Sequence, residues 1–302
     1  MTLNLTTNLQ NISQKPKVIA VVGATASGKT KYSIELAKEI NGEIISADSR
    51  LVYKGFNIVC AKPTLEERQG IPHYMMDIVE PEENYSAGLY SKAAKKIIYD
   101  IISKGKTPII VGGTGLYFRL LLENYEPPKV EPNYDYRKEL DTLSKNELYE
   151  LLKSIDFDGA QSINPNDRKK LIRAIEIVKF GDKSLDESRS ISAESEFDVE
   201  WIGRNYPREE LYERINKRVD IMLENGMIEE TKALLEKHGR IPNLTDTIGY
   251  HEIIMYLDKI ITLDDAIERL KQNTRRYAKR QLTWFRKNKN INWNCYPETK
   301  TK

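Results

Sequence analysis

Eight residues, Gly23-Ala24-Thr25-Ala26-Ser27-Gly28-Lys29-Thr30, constrain the fold of this chain more than any other stretch. They spell GxxxxGKT, and they lie between the valine-rich run at residues 18–22 and the helical pattern KYSIELAKEI at residues 31–40. Strand, loop and helix in that order make a phosphate loop. Its glycines permit a tight wrap, its backbone N–H groups point inward, and the helix N-terminus adds partial positive charge. All eight residues are therefore candidates for binding a diphosphate, with Lys29 neutralising it and Thr30 as a ligand for Mg²⁺. The loop reads phosphate oxygens only, so a nucleoside triphosphate and another diphosphate both remain open. Asp48, in IISADSR, is the one strand-terminal acid of the kind that completes a metal shell in a nucleotide hydrolase. In that role it makes the protein kinase-like; facing an amine nucleophile, it makes the protein something else.

The pattern around the loop continues as alternating strands and helices, with strands in EIISAD and TPIIVGG and a helix capped by Ser86 and ended by Gly105. That alternation predicts an α/β fold of the P-loop NTPase type, a mainly parallel sheet flanked by helices. The proline-rich stretch NYEPPKVEPNYDY breaks the rhythm. Beyond it the signals are helical: Ser144 with Glu147 forms a capping box, Asn164-Pro165 opens a helix, and Gly181 stops it. VEWIGRNYP returns to strand character, and helices follow, the last starting at Thr262 with Asp265. The expected organisation is a tail at 1–16 without order, a catalytic core at 17–125 and 198–302, and a small all-helical insertion at 126–197.

Charge adds what the motif cannot. The net charge is only +2, yet the run from Arg269 to Lys289 holds nine Lys or Arg and no acid. Such a field repels itself unless a polyanion faces it. Arg275, Arg276, Lys279 and Arg280, within two turns, are candidates for RNA phosphate contact. Tyr277, Leu282, Trp284 and Phe285 read as core rather than as a stacking platform. Apolar runs are too short to span a bilayer, and the polar N-terminal stretch lacks the apolar segment of a signal peptide, so a cytoplasmic location is expected. Two cysteines, Cys60 and Cys295, and three histidines make neither a disulfide framework nor a metal pattern. His73 is expected to be an ordinary hydrogen-bonded residue.

Six blocks, GATASGKT, ISADSRLVYKGFNIVCAKPT, IPHYMMDIVEPEENYS, IIVGGTGLYFRLLL, NPNDRKKLIRAIEI and TRRYAKRQLTWFR, follow one another in the order typical of one family. Over residues 17 to 293 the chain resembles the tRNA dimethylallyltransferases of bacterial type. The resemblance implies that the loop holds dimethylallyl diphosphate rather than ATP, with Mg²⁺, and that the helical insertion grips a tRNA anticodon stem-loop. Asp48 matches the acid that deprotonates the exocyclic N6 of the target adenosine immediately 3′ of the anticodon, with Ser49, Arg50 and Leu51 beside that base. Arg218 matches an arginine that stabilises the departing diphosphate. Thr114 and Arg137 match tRNA contacts, as do Lys169, Lys170, Leu171, Ile172 and Arg173 on the insertion. No protein partner and no membrane is implied. Val59-Cys60 and His73-Tyr74 depart from the family's usual Gly-Thr and paired histidines, which makes Cys60 a residue to examine for oxidation. The rival readings are a prenyltransferase of free adenine nucleotides, a small-molecule kinase, and a non-enzymatic RNA-binding protein.

Overall fold

The computed structural model describes residues 15–123, 125, 127–181, 184–185 and 194–295. The expected tail lies outside them as far as residue 14. The chain opens with β1 (Lys17–Gly23), α1 (Lys29–Glu39), β2 (Gly42–Ala47), β3 (His73–Tyr74), α2 (Ala87–Ser103), β4 (Thr107–Gly112) and α3 (Gly115–Leu122). Four helices follow, α4 (Tyr134–Leu140), α5 (Lys145–Ile155), α6 (Phe157–Gln161) and α7 (Arg168–Phe180). The remainder is β5 (Asp198–Asn205), α8 (Arg208–Glu224), α9 (Met227–His238), α10 (Pro242–Thr245), α11 (Tyr250–Leu257), α12 (Leu263–Phe285) and β6 (Asn292–Cys295). It divides into two compact units, with the boundaries at Leu121/Leu122 and Ser195/Glu196.

In the first unit the strands form one six-stranded sheet of order β3-β2-β4-β1-β5-β6, and every pairing is parallel. Helices cover both faces of such a sheet, so its central strands read as unbroken apolar runs. β1 is buried from Val18 to Gly23, and β2 along its whole length. Ser86 caps α2 by accepting from the Leu89 N–H, and Thr262 caps α12 by accepting from that of Asp265. A further core, built around Phe56, Met227, Tyr250 and Ile253, lies under the loop after β2 and helices α9 and α11.

The second unit, Leu122–Ser195, has its own core of Leu148, Leu152, Leu171 and Ile175. Its limits differ from the expected 126–197. Leu121 and Leu122 are already buried as α3 ends. On the return, Glu196 accepts hydrogen bonds from Lys95 and Tyr99, and Phe197 packs on the Tyr99 ring, so the chain has rejoined the first unit before β5 begins. The Ser144–Glu147 capping box opens α5. α7 starts three residues later than Asn164 suggested, because Asn164 turns its side chain onto the Asn166 N–H while Asp167 accepts from that of Lys170.

Glu176 on α7 is fully buried and ties this unit together. It accepts from the Asn133 N–H at 2.6 Å, from Arg137 at 2.7 and 3.0 Å, and from Arg173. Burial alone raises its pKa, but those hydrogen bonds outweigh burial and hold it below the ordinary 4.5. Its stabilisation is therefore complete above the unfolded value and lost as pH falls through the folded one. Glu176→Ala takes the shared acceptor from two arginines and the Asn133 N–H. Hydrogen-exchange protection of α7 in the full chain should drop by roughly 3 kcal/mol, with β1 unchanged; equal protection in both proteins would show the cluster to be neutral.

Candidate active site

The phosphate loop joins β1 to α1 and takes two left-handed residues to do so, Ala26 at φ 60 and Gly28 at φ 78. The Ser27 N–H donates back to the Ala24 carbonyl, and Lys29 Nζ donates to the same carbonyl. α1 begins at Lys29, so its first-turn N–H groups have no intrahelical acceptor and face the cavity above them. That cavity, about 500 Å³, is lined by Lys29, Thr30, Asp48, Arg214, Lys217 and Arg218 among others.

Its electrostatics are unusual. Lys29 is half-buried, and desolvation first, then the neighbouring Arg218, lowers its pKa from 10.5 to about 7, against the pull of Asp48. Burial likewise lowers the Arg218 pKa, with Asp48 again opposing. Two partly desolvated cations thus share one carboxylate, which leaves an excess of positive charge in the cavity. An anion with several oxygens is the species that relieves it.

Asp48 follows directly on β2. Its Oδ1 accepts from the Arg50 N–H at 2.8 Å, a local turn that fixes the carboxylate. Thr114, just past β4, braces the same segment: its N–H donates to the Ala47 carbonyl and its Oγ1 accepts from the Ser49 N–H at 3.0 Å. Arg50 is half-buried and reaches the Asn243 carbonyl, and Leu51 is buried. A second cavity, about 350 Å³, is lined by Ser49, Arg50, Thr247, Thr274 and Arg280. Thr25, Asp48, Cys60, Arg218 and Tyr277 line both cavities. The carboxylate and the guanidinium therefore stand where an anion-binding space meets a second space of mixed lining, in which Val59, Met222 and Leu270 accompany the polar residues.

Other expected residues have different surroundings. Arg275 donates to Asn216 Oδ1 at 2.6 Å and is held against α8, whereas Arg276, Lys279 and Arg280 are exposed. Leu171 and Ile172 are buried in the core of the second unit, so their side chains offer nothing to a partner; Lys169 and Lys170, beside them, are exposed. Arg137 and Arg173 are engaged by Glu176. The Cys60 thiol is pushed up by burial and by Asp48, which disfavours the reactive thiolate. His73 Nδ1 bonds the Ile71 carbonyl, and burial lowers its pKa, so it is neutral. Among the described residues there is no group of three or more His, Cys, Asp or Glu that could hold a metal, and no helix long and apolar enough to cross a membrane.

Among the lining residues outside the expected set, four on α8 and α12 bear on the anion-binding cavity. Lys217 and Arg218 stand three and four residues after Arg214 on one face of α8, a spacing visible in the sequence ERINKR. Tyr277, read as core, lines both cavities, and Gln281, one turn on, hydrogen-bonds the loop itself. Phe285 is core, packed edge-on against Phe118, while Trp284 is 40% exposed.

The family model described as IPP transferase matches residues 51–288, a span that begins beyond the phosphate loop and Asp48. A tRNA dimethylallyltransferase of Anoxybacillus flavithermus is 47% identical over 278 residues, which are 92% of this chain and 89% of that one. Among solved structures, the full-length tRNA isopentenylpyrophosphate transferase of Bacillus halodurans is 40% identical, with a TM-score of 0.70 over 93% of this chain and 90% of its own. A eukaryotic dimethylallyltransferase acting on tRNA is 33% identical, with a TM-score of 0.80 over 93% of this chain and 74% of its own.

The lowered Lys29 pKa gives anion binding a proton signature. A bound anion restores the pKa, so at about pH 8 binding of inorganic diphosphate should draw in a proton at Lys29. Below the free-protein pKa that uptake should fade, because Lys29 is already charged. Calorimetry in buffers of different ionisation enthalpy measures it, and Lys29→Met should lose the excess; equal uptake by both proteins would place the titration elsewhere.

Proposed function

We propose that this chain, which belongs to the IPP transferase family, moves a dimethylallyl group from dimethylallyl diphosphate to N6 of the adenosine immediately 3′ of a tRNA anticodon, with release of diphosphate. It is a tRNA-modifying transferase with a P-loop NTPase-like sheet. The observation that carries the finer reading is the position of Asp48 and Arg218 at the meeting of the two cavities. A donor in the first and a base in the second bring the reacting atoms to that junction.

The reaction forms a bond from N6 to the first allylic carbon and breaks the bond from that carbon to the diphosphate oxygen. Negative charge grows on the leaving group, which Lys29, Arg218 and the loop N–H groups stabilise; in a partly desolvated site each is worth more than in water. The proton released from N6 passes to Asp48, held in place by Arg50 N–H and the Thr114 brace. Mg²⁺ fits this donor set: it keeps several waters and takes few protein oxygens when a substrate supplies phosphates, and Thr30 lies in the cavity beside the loop. When bound, it would neutralise diphosphate charge, with Thr30 as its protein ligand. The exposed cations Arg276, Lys279 and Arg280 of α12 suit RNA phosphates. A tRNA substrate places the work in the cytoplasm.

Labelled dimethylallyl diphosphate and labelled ATP, each incubated with Mg²⁺ and unmodified tRNA, test the reading together. Allyl label should enter tRNA and ATP should persist; ATP turnover without allyl transfer would favour a kinase. Asp48→Ala should lose transfer by roughly a hundredfold or more while still binding tRNA, and near-normal transfer would take the base role from Asp48.

A further inference from the structure

Gln281 lies one turn before the C-terminal end of α12 and is only 6% exposed. Its Oε1 accepts from the Thr25 N–H at 2.8 Å, and its Nε2 donates to the Gly113 carbonyl at 3.0 Å. One side-chain amide therefore straps the phosphate loop, which follows β1, to the turn that follows β4. The two ends are chemically distinct: only the carbonyl can meet the N–H, and only the amino group can meet the carbonyl, so a flipped amide satisfies neither. The strands beneath hold the two anchor points side by side, with Val22 opposite Gly112. The fit is close enough that a Cβ on Gly113 would fall 2.0 Å from Gln281 Nε2.

Thr25 is also held from the far side, where Arg218 Nη1 lies 3.5 Å from its Oγ1. Because Gln281 takes the Thr25 N–H out of the phosphate cradle and the Ser27 N–H donates to the Ala24 carbonyl, anion oxygens are left to the N–H groups of Ala26 and of Gly28 onward. A loop with a left-handed non-glycine residue at Ala26 is a strained turn. Such a turn binds an anion well only if its N–H groups are already aimed, since ordering them on binding costs affinity.

We propose that Gln281 is a positioning residue for the donor: acting through Thr25, it holds the phosphate loop in the shape that accepts a diphosphate. The proposal rests on the reading of the loop as the allyl diphosphate site, and makes a helix whose outer face is basic part of the donor pocket. Loss of the strap is expressed in donor affinity, and not in the affinity for RNA.

The test uses Gln281→Ala, Gly113→Ala and the double variant, with inorganic diphosphate binding by calorimetry and steady-state KM values for dimethylallyl diphosphate and tRNA. Two neutral hydrogen bonds lost should weaken diphosphate binding and raise the donor KM by about tenfold, with the tRNA KM and kcat within about twofold. Gly113→Ala should do the same by driving the amide out of place. In the Gln281→Ala background it should add little, because the added methyl then has room. Should Gln281→Ala fail to fold, Gly113→Ala carries the test alone. Unchanged diphosphate affinity with lowered thermal stability would reduce Gln281 to a structural role, and equal rises in both KM values would overturn the proposal as well. If the wild-type protein binds diphosphate but does not alkylate tRNA, the functional reading fails while the binding comparison still judges Gln281.

Discussion

Every strand of the sheet runs the same way, and the site depends on that constraint. In a parallel sheet all carboxyl ends reach one edge, and crossover segments must start there. β1 delivers the phosphate loop, β2 delivers Asp48, β4 delivers Gly113 and Thr114, and β5 leads through Tyr206 into α8 with its three cations. No residue of the site needs a long excursion to reach it. The sequence order of these segments looks scattered only because the strand order β2-β4-β1-β5 interleaves early and late parts of the chain.

That convergence has an electrostatic consequence. Helices α8 and α12 wall the cavity at the strand ends, so Lys29 and Arg218 lie near one another in surroundings that screen them less than bulk water does. Left to themselves, such cations lose protons, as the Lys29 pKa near 7 records. Asp48 moderates this without cancelling it, being one carboxylate against two cations. The same imbalance that costs stability in the free protein is what favours a leaving group whose charge increases during reaction, because the site is worst satisfied before the anion arrives and best satisfied as it departs from carbon.

What could be read from the sequence was what one short segment decides by itself. The phosphate loop, Asp48 at a strand end, the Ser86 and Thr262 caps and the Ser144–Glu147 box are all local, and each is present. What escaped depends on a partner far along the chain. Gln281 sits 256 residues from Thr25 and 168 from Gly113, and nothing near it in sequence announces either contact. Tyr277 passed for core because an aromatic on a helix is usually that. The strip from Lys169 to Arg173 was read as one surface, but five successive helical residues span more than a turn; Leu171 and Ile172 face the core, and only their neighbours face out.

The same geometry sorts the basic run on α12. Nine cations without an acid need counter-charge or hydrogen-bond acceptors, and α8 supplies some of each: Lys271 pairs with Asp220 at 2.8 Å, and Arg275 donates to the neutral amide of Asn216. These two are spent on holding the helices together. Arg276 and Lys279 are left facing outward, Arg280 is exposed at the rim of the second cavity, and Tyr277 and Gln281, at helical spacing along the inner side, face the cavities. The helix is therefore neither a uniformly solvated charged face nor a plain core helix. One rigid element presents cations suited to a polyanion on one side and fixes the anion-binding loop on the other. A charge count alone cannot separate these duties, because it weighs Arg275 and Lys279 alike although the fold gives one of them to Asn216 and the other to solvent.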